Sequence, residues 1–186
     1  MLSGWRAPDD AQERLRRAYL DHLDAHPDAM RRSCSPDHLT ASALVLDADA
    51  ARVLLTLHRR HRRWLQLGGH CEPGDLTLGA AALREATEES GIPGLRLDPD
   101  PLRLDRHEVA RGPRRAAHHL DVQYLAHAPR GAGARISDES AALEWFDLTA
   151  LPDDTDDSVR ALVAAAVIRQ VSSVQGSPAA SETPSR

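Results

Sequence analysis

The stretch from Thr77 to Ile92 has the residue types of a helix with a defined start, a defined stop and one charged face. Thr77 suits an N-cap and the interior is rich in alanine. Gly91 followed by Ile92-Pro93 supplies a glycine stop with a proline just beyond. Within the helix expected over Thr77 to Ser90, Glu85, Glu88 and Glu89 stand at i, i+3 and i+4, so their carboxylates share a face. On an exposed helix such like-charge pairs cost only tenths of a kcal/mol. At about 4 Å and an effective dielectric near 20, the repulsion approaches about 4 kcal/mol. An enclosed cluster therefore requires cations, whereas an open one is a solvated acidic face.

The flanks of this helix read mostly as strands. Leu39 to Leu46 and Arg52 to Leu57 are rich in β-branched and aliphatic residues and bracket Asp47-Ala48-Asp49, which predicts a hairpin. Trp64 to Leu67 form a short apolar run that ends at Gly68-Gly69, where the glycines mark a bend and a close backbone approach. Leu102 to Val109, Leu120 to Ala126 and Leu143 to Phe146 read as further strands, and Ser158 to Val171 as a closing helix. Near the N-terminus, Pro8 to Ala25 carries an apolar stripe at Ala11, Leu15, Tyr19 and Leu23. That stripe either docks on the main domain or covers a second copy in a homodimer. Strands on both sides of a central helix, with helices at both ends, predict an α/β chain whose mixed β-sheet is sandwiched between helices. The expected division is a helix and link over 1–37, one catalytic domain over 38–171, and a disordered Ser/Pro/Ala-rich tail over 172–186.

Composition narrows the partners. A net charge of -5 excludes the broad basic footprint that duplex nucleic acid requires, so a small substrate is expected. Cys34 and Cys71 are too few and too separated for a disulfide framework or a Cys-x-x-Cys zinc site. Met1 to Arg6 lacks the apolar core of a signal peptide, and the longest apolar run, Leu162 to Ile168, is too short to span a bilayer. A cytoplasmic protein without a membrane partner is the expectation.

Oxygen-rich carboxylate sites suit Mg²⁺, with Mn²⁺ as a substitute, and leave coordination positions for water and substrate phosphates. The order of the surrounding pieces favours such a site over a merely acidic face. A glycine pair comes first, then Glu72-Pro73-Gly74-Asp75, then Arg84-Glu85 and Glu88-Glu89, then Gly91-Ile92. Folding back at the glycines would let a backbone carbonyl face a metal, and Arg84 can brace a neighbouring carboxylate by a charge-assisted hydrogen bond.

Gly69 to Ile92 resembles the signature of the Nudix hydrolase family: a Gly, five residues, a Glu, seven residues, then Arg-Glu-aliphatic-x-Glu-Glu-x-Gly-aliphatic. Three departures stand out. Asp75 replaces the usual Glu, Leu67 replaces a common Pro, and the segment Leu76 to Leu83 has eight residues rather than seven. The extra residue falls before the helix, so the spacing of the glutamates is kept and only the reach of Asp75 is in question.

The resemblance implies a Nudix-like α/β/α sandwich over roughly Leu39 to Val171. The implied activity is metal-dependent hydrolysis of a phosphoanhydride bond in a small, nucleoside-diphosphate-linked or related substrate. It assigns Glu85, Glu88 and Glu89 as metal-facing carboxylates, the Gly69 carbonyl as a further ligand and Arg84 as an orienting residue. Glu139, in the loop before Leu143-Glu144-Trp145-Phe146, matches a later family carboxylate that completes the metal site or acts as general base; an exposed acidic loop is the competing reading. Glu72 is a second-tier candidate, either in the acidic loop or in a solvated turn. The alternative function is a Nudix-like module that binds a nucleotide as a sensor without turning it over.

Among ten histidines, His70 is a second-tier candidate because it follows Gly69 directly and could reach a phosphate or base. His118 and His119 alternate across a predicted strand, so both cannot face one site. Arg111, Arg114 and Arg115 could clamp an anion or be solvated, Trp64 could stack on a nucleobase or, the plainer reading, plug the core, and Cys71 reads as a buried thiol rather than an isomerase nucleophile.

Overall fold

The computed structural model describes residues 2–110, 116–136 and 140–175. In chain order these form α1 (Asp10–Ala25), β1 (His38–Leu46), β2 (Arg52–His58), β3 (Trp64–Leu65), β4 (Leu67–His70), α2 (Leu78–Ser90), β5 (Arg96–Leu97), β6 (Arg103–Ala110), β7 (Ala116–His127), β8 (Ser140–Asp147) and α3 (Asp157–Gln175). All eight strands belong to one mixed sheet with a backbone order of β3-β2-β1-β7-β5; β4 pairs with β1, β6 with β7 and β8 with β2. The β1–β7 pair is parallel and the other ladders are antiparallel.

Alternation along β1 divides the core. Leu39 and Ala41 pack with Leu120, Val122 and Tyr124 of β7 beneath α1 and α2. Ala43 and Val45 continue this face against Ala86 of α2 and Ile92. The intervening Leu44 and Leu46 face the other way and pack with Val159, Leu162, Val163 and Ala166 of α3. The sheet is thus held between helices, as expected, and the small side chains Ala41, Ala43, Ala81, Ala82 and Ala86 let α2 lie close to it.

The predicted caps of α2 are present: Thr77 accepts a hydrogen bond from the Ala80 N–H, and Gly91 closes the helix with φ 62°. The hairpin of β1 and β2 forms with Val45 opposite Leu54. Gly68 and Gly69 are not a bend but the middle of β4, paired with Ser42 and Ala41. Close approach is what demands them: a Cβ on Gly68 would lie 2.4 Å from the Ser42 Cα. The closing helix runs four residues past its expected end at Val171, and residues 176–186 lie outside the described residues. Trp64 is in the core, edge-on to Phe146.

α1 docks on this domain. The Gln12 side-chain amide donates to the Leu104 carbonyl at 3.0 Å and its oxygen accepts from the Leu104 N–H at 2.7 Å, satisfying the backbone of β6 as a neighbouring strand would. The Tyr19 hydroxyl donates to the Asp105 carbonyl at 2.7 Å.

Candidate metal centre

The site is built where β4 passes the C-terminal half of α2. Gly69 pairs with Ala41, on the sheet face that α2 covers. A Cβ on Gly69 would meet the Glu85 carboxylate oxygens at 2.9 and 3.0 Å, so the absence of a side chain there lets that carboxylate rest against the strand. Glu85 is largely enclosed, with 17% of its side chain exposed, while Glu88 at 61% faces outward. Glu89 is half-buried, with its Oε2 atom shut off from solvent.

Arg84 ties the loop to the helix. Its Nη2 donates to Asp75 Oδ2 at 2.9 Å and to the His70 carbonyl at 3.0 Å, and its Nε donates to Asp75 Oδ1 at 3.2 Å. Its Nη1 donates to Glu85 at 3.1 Å and to Glu88 at 3.0 Å. The bidentate Arg84 guanidinium holds the Asp75 carboxyl below the usual carboxylate range, and Asp75 in turn raises Arg84. Asp75 also accepts the Glu72 N–H at 2.8 Å, which closes the turn. The shorter acid, one residue further from the helix than the family spacing, therefore still reaches the arginine.

Glu85, Glu88 and Glu89 are thus brought to one patch beside the Gly69 backbone, with Arg84 and Asp75 between loop and helix. Glu72 is 65% exposed and only 4.0 Å from Arg84 at its nearest, at the rim of this group. Glu139 and the arginines at 111, 114 and 115 lie outside the described residues. His70 pairs with Thr40, which puts its side chain on the opposite sheet face from the Gly69–Glu85 contact. Burial pushes the Cys71 thiol up to about 11, which keeps it protonated and unsuited to nucleophilic work.

The donor set fits a hard divalent cation. Glu85, Glu88 and Asp75 share the guanidinium of Arg84, and Glu89 adds a further carboxylate on the same helix face, so hard oxygen donors gather in a part-enclosed place.

On the other face of the sheet is a buried polar row that the sequence reading did not single out. Asp121 accepts from Thr40 Oγ1 at 2.9 Å and Ser42 Oγ at 2.6 Å, and burial raises its pKa. Polar residues alternating at 38, 40 and 42 and at 119, 121 and 123 were the available signal.

Comparison with known proteins places the chain in a family. The family profile described as NUDIX domain matches residues 36–166, and the chain belongs to that family, a class of hydrolases acting on pyrophosphate bonds. No curated protein matches the sequence. Among solved structures, the Caenorhabditis elegans Ap4A hydrolase binary complex is 18% identical, covering 72% of this chain and 98% of its own, with a TM-score of 0.59. The Escherichia coli dihydroneopterin triphosphate pyrophosphohydrolase is 24% identical, with coverage of 70% and 95% and a TM-score of 0.58. The NUDIX domain of Shewanella oneidensis NrtR complexed with ADP ribose is 19% identical, with coverage of 81% and 97% and a TM-score of 0.56. At these identities the likeness is one of fold.

Proposed function

We propose that this chain hydrolyses a phosphoanhydride bond in a small nucleoside-diphosphate-linked or related phosphorylated substrate, using Mg²⁺, or Mn²⁺ in its place. Glu85, Glu88 and Glu89 hold the ion, with the Gly69 carbonyl and Glu139 as further ligands. The observation that carries this reading is the seat of the Glu85 carboxylate against Gly69 with Arg84 bridging it to Asp75.

When bound, the cation supplies charge neutralisation for phosphate oxygens and a more acidic water. The protein residues do the positioning. Arg84 fixes Glu85 and Glu88 from one side and anchors β4 through the His70 carbonyl, so helix and strand present their oxygens as one rigid set. Glu139 is the candidate general base. The fold neighbours include an Ap4A hydrolase, a dihydroneopterin triphosphate pyrophosphohydrolase and a domain complexed with ADP ribose, which supports a small phosphorylated, nucleotide-like substrate class. Two buried free thiols suit the reducing cytoplasm, and among the described residues no helix is long and apolar enough to cross a membrane.

The test is a panel of nucleoside triphosphates, nucleotide sugars, ADP-ribose, dinucleoside polyphosphates and prenyl diphosphates, assayed with Mg²⁺ and with excess chelator. The expected result is turnover of at least one member that chelator abolishes. Full turnover in chelator contradicts the metal-dependent reading, and tight binding without turnover across the panel favours a sensor.

A further inference from the structure

The sheet face away from Glu85 carries a second cluster whose chemistry is different. His38 of β1, His70 of β4 and His119 of β7 come from three strands that the topology sets side by side: His38 is opposite His119 in the parallel ladder, and His70 is opposite Thr40. Their ring centroids form a nearly equilateral triangle, 5.1 Å from His38 to His70, 4.9 Å from His38 to His119 and 5.0 Å from His70 to His119. One ring nitrogen from each lies within 4.8 Å of the others.

We propose that His38, His70 and His119 form a binding site for a borderline divalent ion of the Zn²⁺ class, distinct from the Mg²⁺ carboxylate centre on the other face of β4.

Donor type separates the two sites. Neutral imidazole suits Zn²⁺, Cu²⁺ and Ni²⁺, whereas carboxylate and carbonyl oxygen suit Mg²⁺ and Mn²⁺. Tetrahedral Zn²⁺ with bonds of about 2.1 Å places its nitrogens about 3.4 Å apart, so rotations that draw the rings in by roughly 1 Å complete the site. Three imidazoles leave a fourth position for water or an anionic ligand. His38 is fully buried and gives the site a fixed floor, while the half-buried His70 and His119 leave a path for the ion. His107 touches His119 at 5.3 Å between ring centroids but is engaged by Asp105, 3.0 Å from its Nδ1, and stands outside the triangle. An ion here ties β4 to β1 and β7, and so steadies the strand whose His70 carbonyl receives Arg84. The proposal does not depend on the hydrolytic reading, since its donors belong to other residues.

The direct test is calorimetric titration of chelator-stripped protein with Zn²⁺ in excess Mg²⁺, which fills the carboxylate centre. One Zn²⁺ per chain is expected, with a rise in melting temperature and, for Co²⁺ in its place, the strong visible absorption of a tetrahedral ion. Outer-shell substitutions at metal sites already cost about 10–100-fold in affinity, so His70→Asn and His119→Asn should each weaken Zn²⁺ by more than tenfold. Because their rings are half-buried, circular dichroism of these two variants should match wild type. Glu85→Gln should keep the Zn²⁺ affinity. No uptake in excess Mg²⁺, uptake unchanged in both folded histidine variants, or uptake lost in Glu85→Gln overturns the proposal, as does histidine-dependent binding of inorganic phosphate without Zn²⁺.

Discussion

α1 and α2 lie on the same face of the sheet and share an apolar cluster, yet they treat their charges in opposite ways. In α1, Glu13 is met by two arginines of its own helix, Arg16 at 2.7 Å and Arg17 at 2.8 Å, and its pKa is lowered to about 2. In α2, the single guanidinium of Arg84 is divided among Asp75, Glu85 and Glu88. The inward polar groups differ as well. α1 sends Gln12 and Tyr19 to backbone atoms of β6, which fixes the helix without needing anything from solution. α2 seats the Glu85 carboxylate against a glycine strand and sets Glu85 and Glu88 around the guanidinium of Arg84. A helix that ties its inward polar groups to the backbone of the sheet serves the fold, and a helix that gathers acids of one sign on one face suits a ligand of the other.

That contrast breaks most visibly at Glu89. Glu89→Gln keeps shape and removes charge, so turnover should fall by two or more orders of magnitude, at least about 2.7 kcal/mol on the barrier. The metal-free protein should stay folded within about 1 kcal/mol, because a repulsive neighbour of Glu85 and Glu88 is gone. Retained activity with a sharp drop in melting temperature would make Glu89 structural.

Gln12→Ala should do the reverse. It strands the Leu104 N–H and carbonyl in a buried place, which costs about 1–3 kcal/mol in denaturant unfolding while kcat of the folded enzyme is unchanged. A large kcat effect would mean that α1 also serves the site.

The smallest effect concerns acid. Asp75 is held below the usual carboxylate range by Arg84, so its contribution is complete above the ordinary carboxyl pKa and is lost as pH falls through the depressed folded value. Asp75→Asn should cost about 1 kcal/mol at neutral pH and flatten the acid side of the stability profile. An unchanged acid limb would detach Asp75 from this pair.

Much of this was legible in the chain. Thr77, the alanines and Gly91 announce α2 because caps and propensity act locally. The shared face of the glutamates follows from helical period alone. Gly68-Gly69 misled because strand propensity resides in side chains, whereas these residues are a strand for lack of them, paired where Ser42 leaves no space for a Cβ. β5, two residues long, has no period to read. The histidine triangle joins positions 38, 70 and 119, which only the parallel β1–β7 pairing and the β1–β4 register bring together. The Asp121 row depends on the same pairing.

The carboxylate cluster beside Gly69 is proposed as a cation site. Calorimetric titration of Mn²⁺ into substrate-free protein, compared with Glu85→Gln, tests it most directly. The expected result is saturable binding in the wild type that weakens by at least about tenfold, 1.4 kcal/mol, in the variant while its melting temperature without metal is kept. Equal Mn²⁺ affinity in the two proteins would contradict it and return Glu85, Glu88 and Glu89 to the status of an acidic helix face.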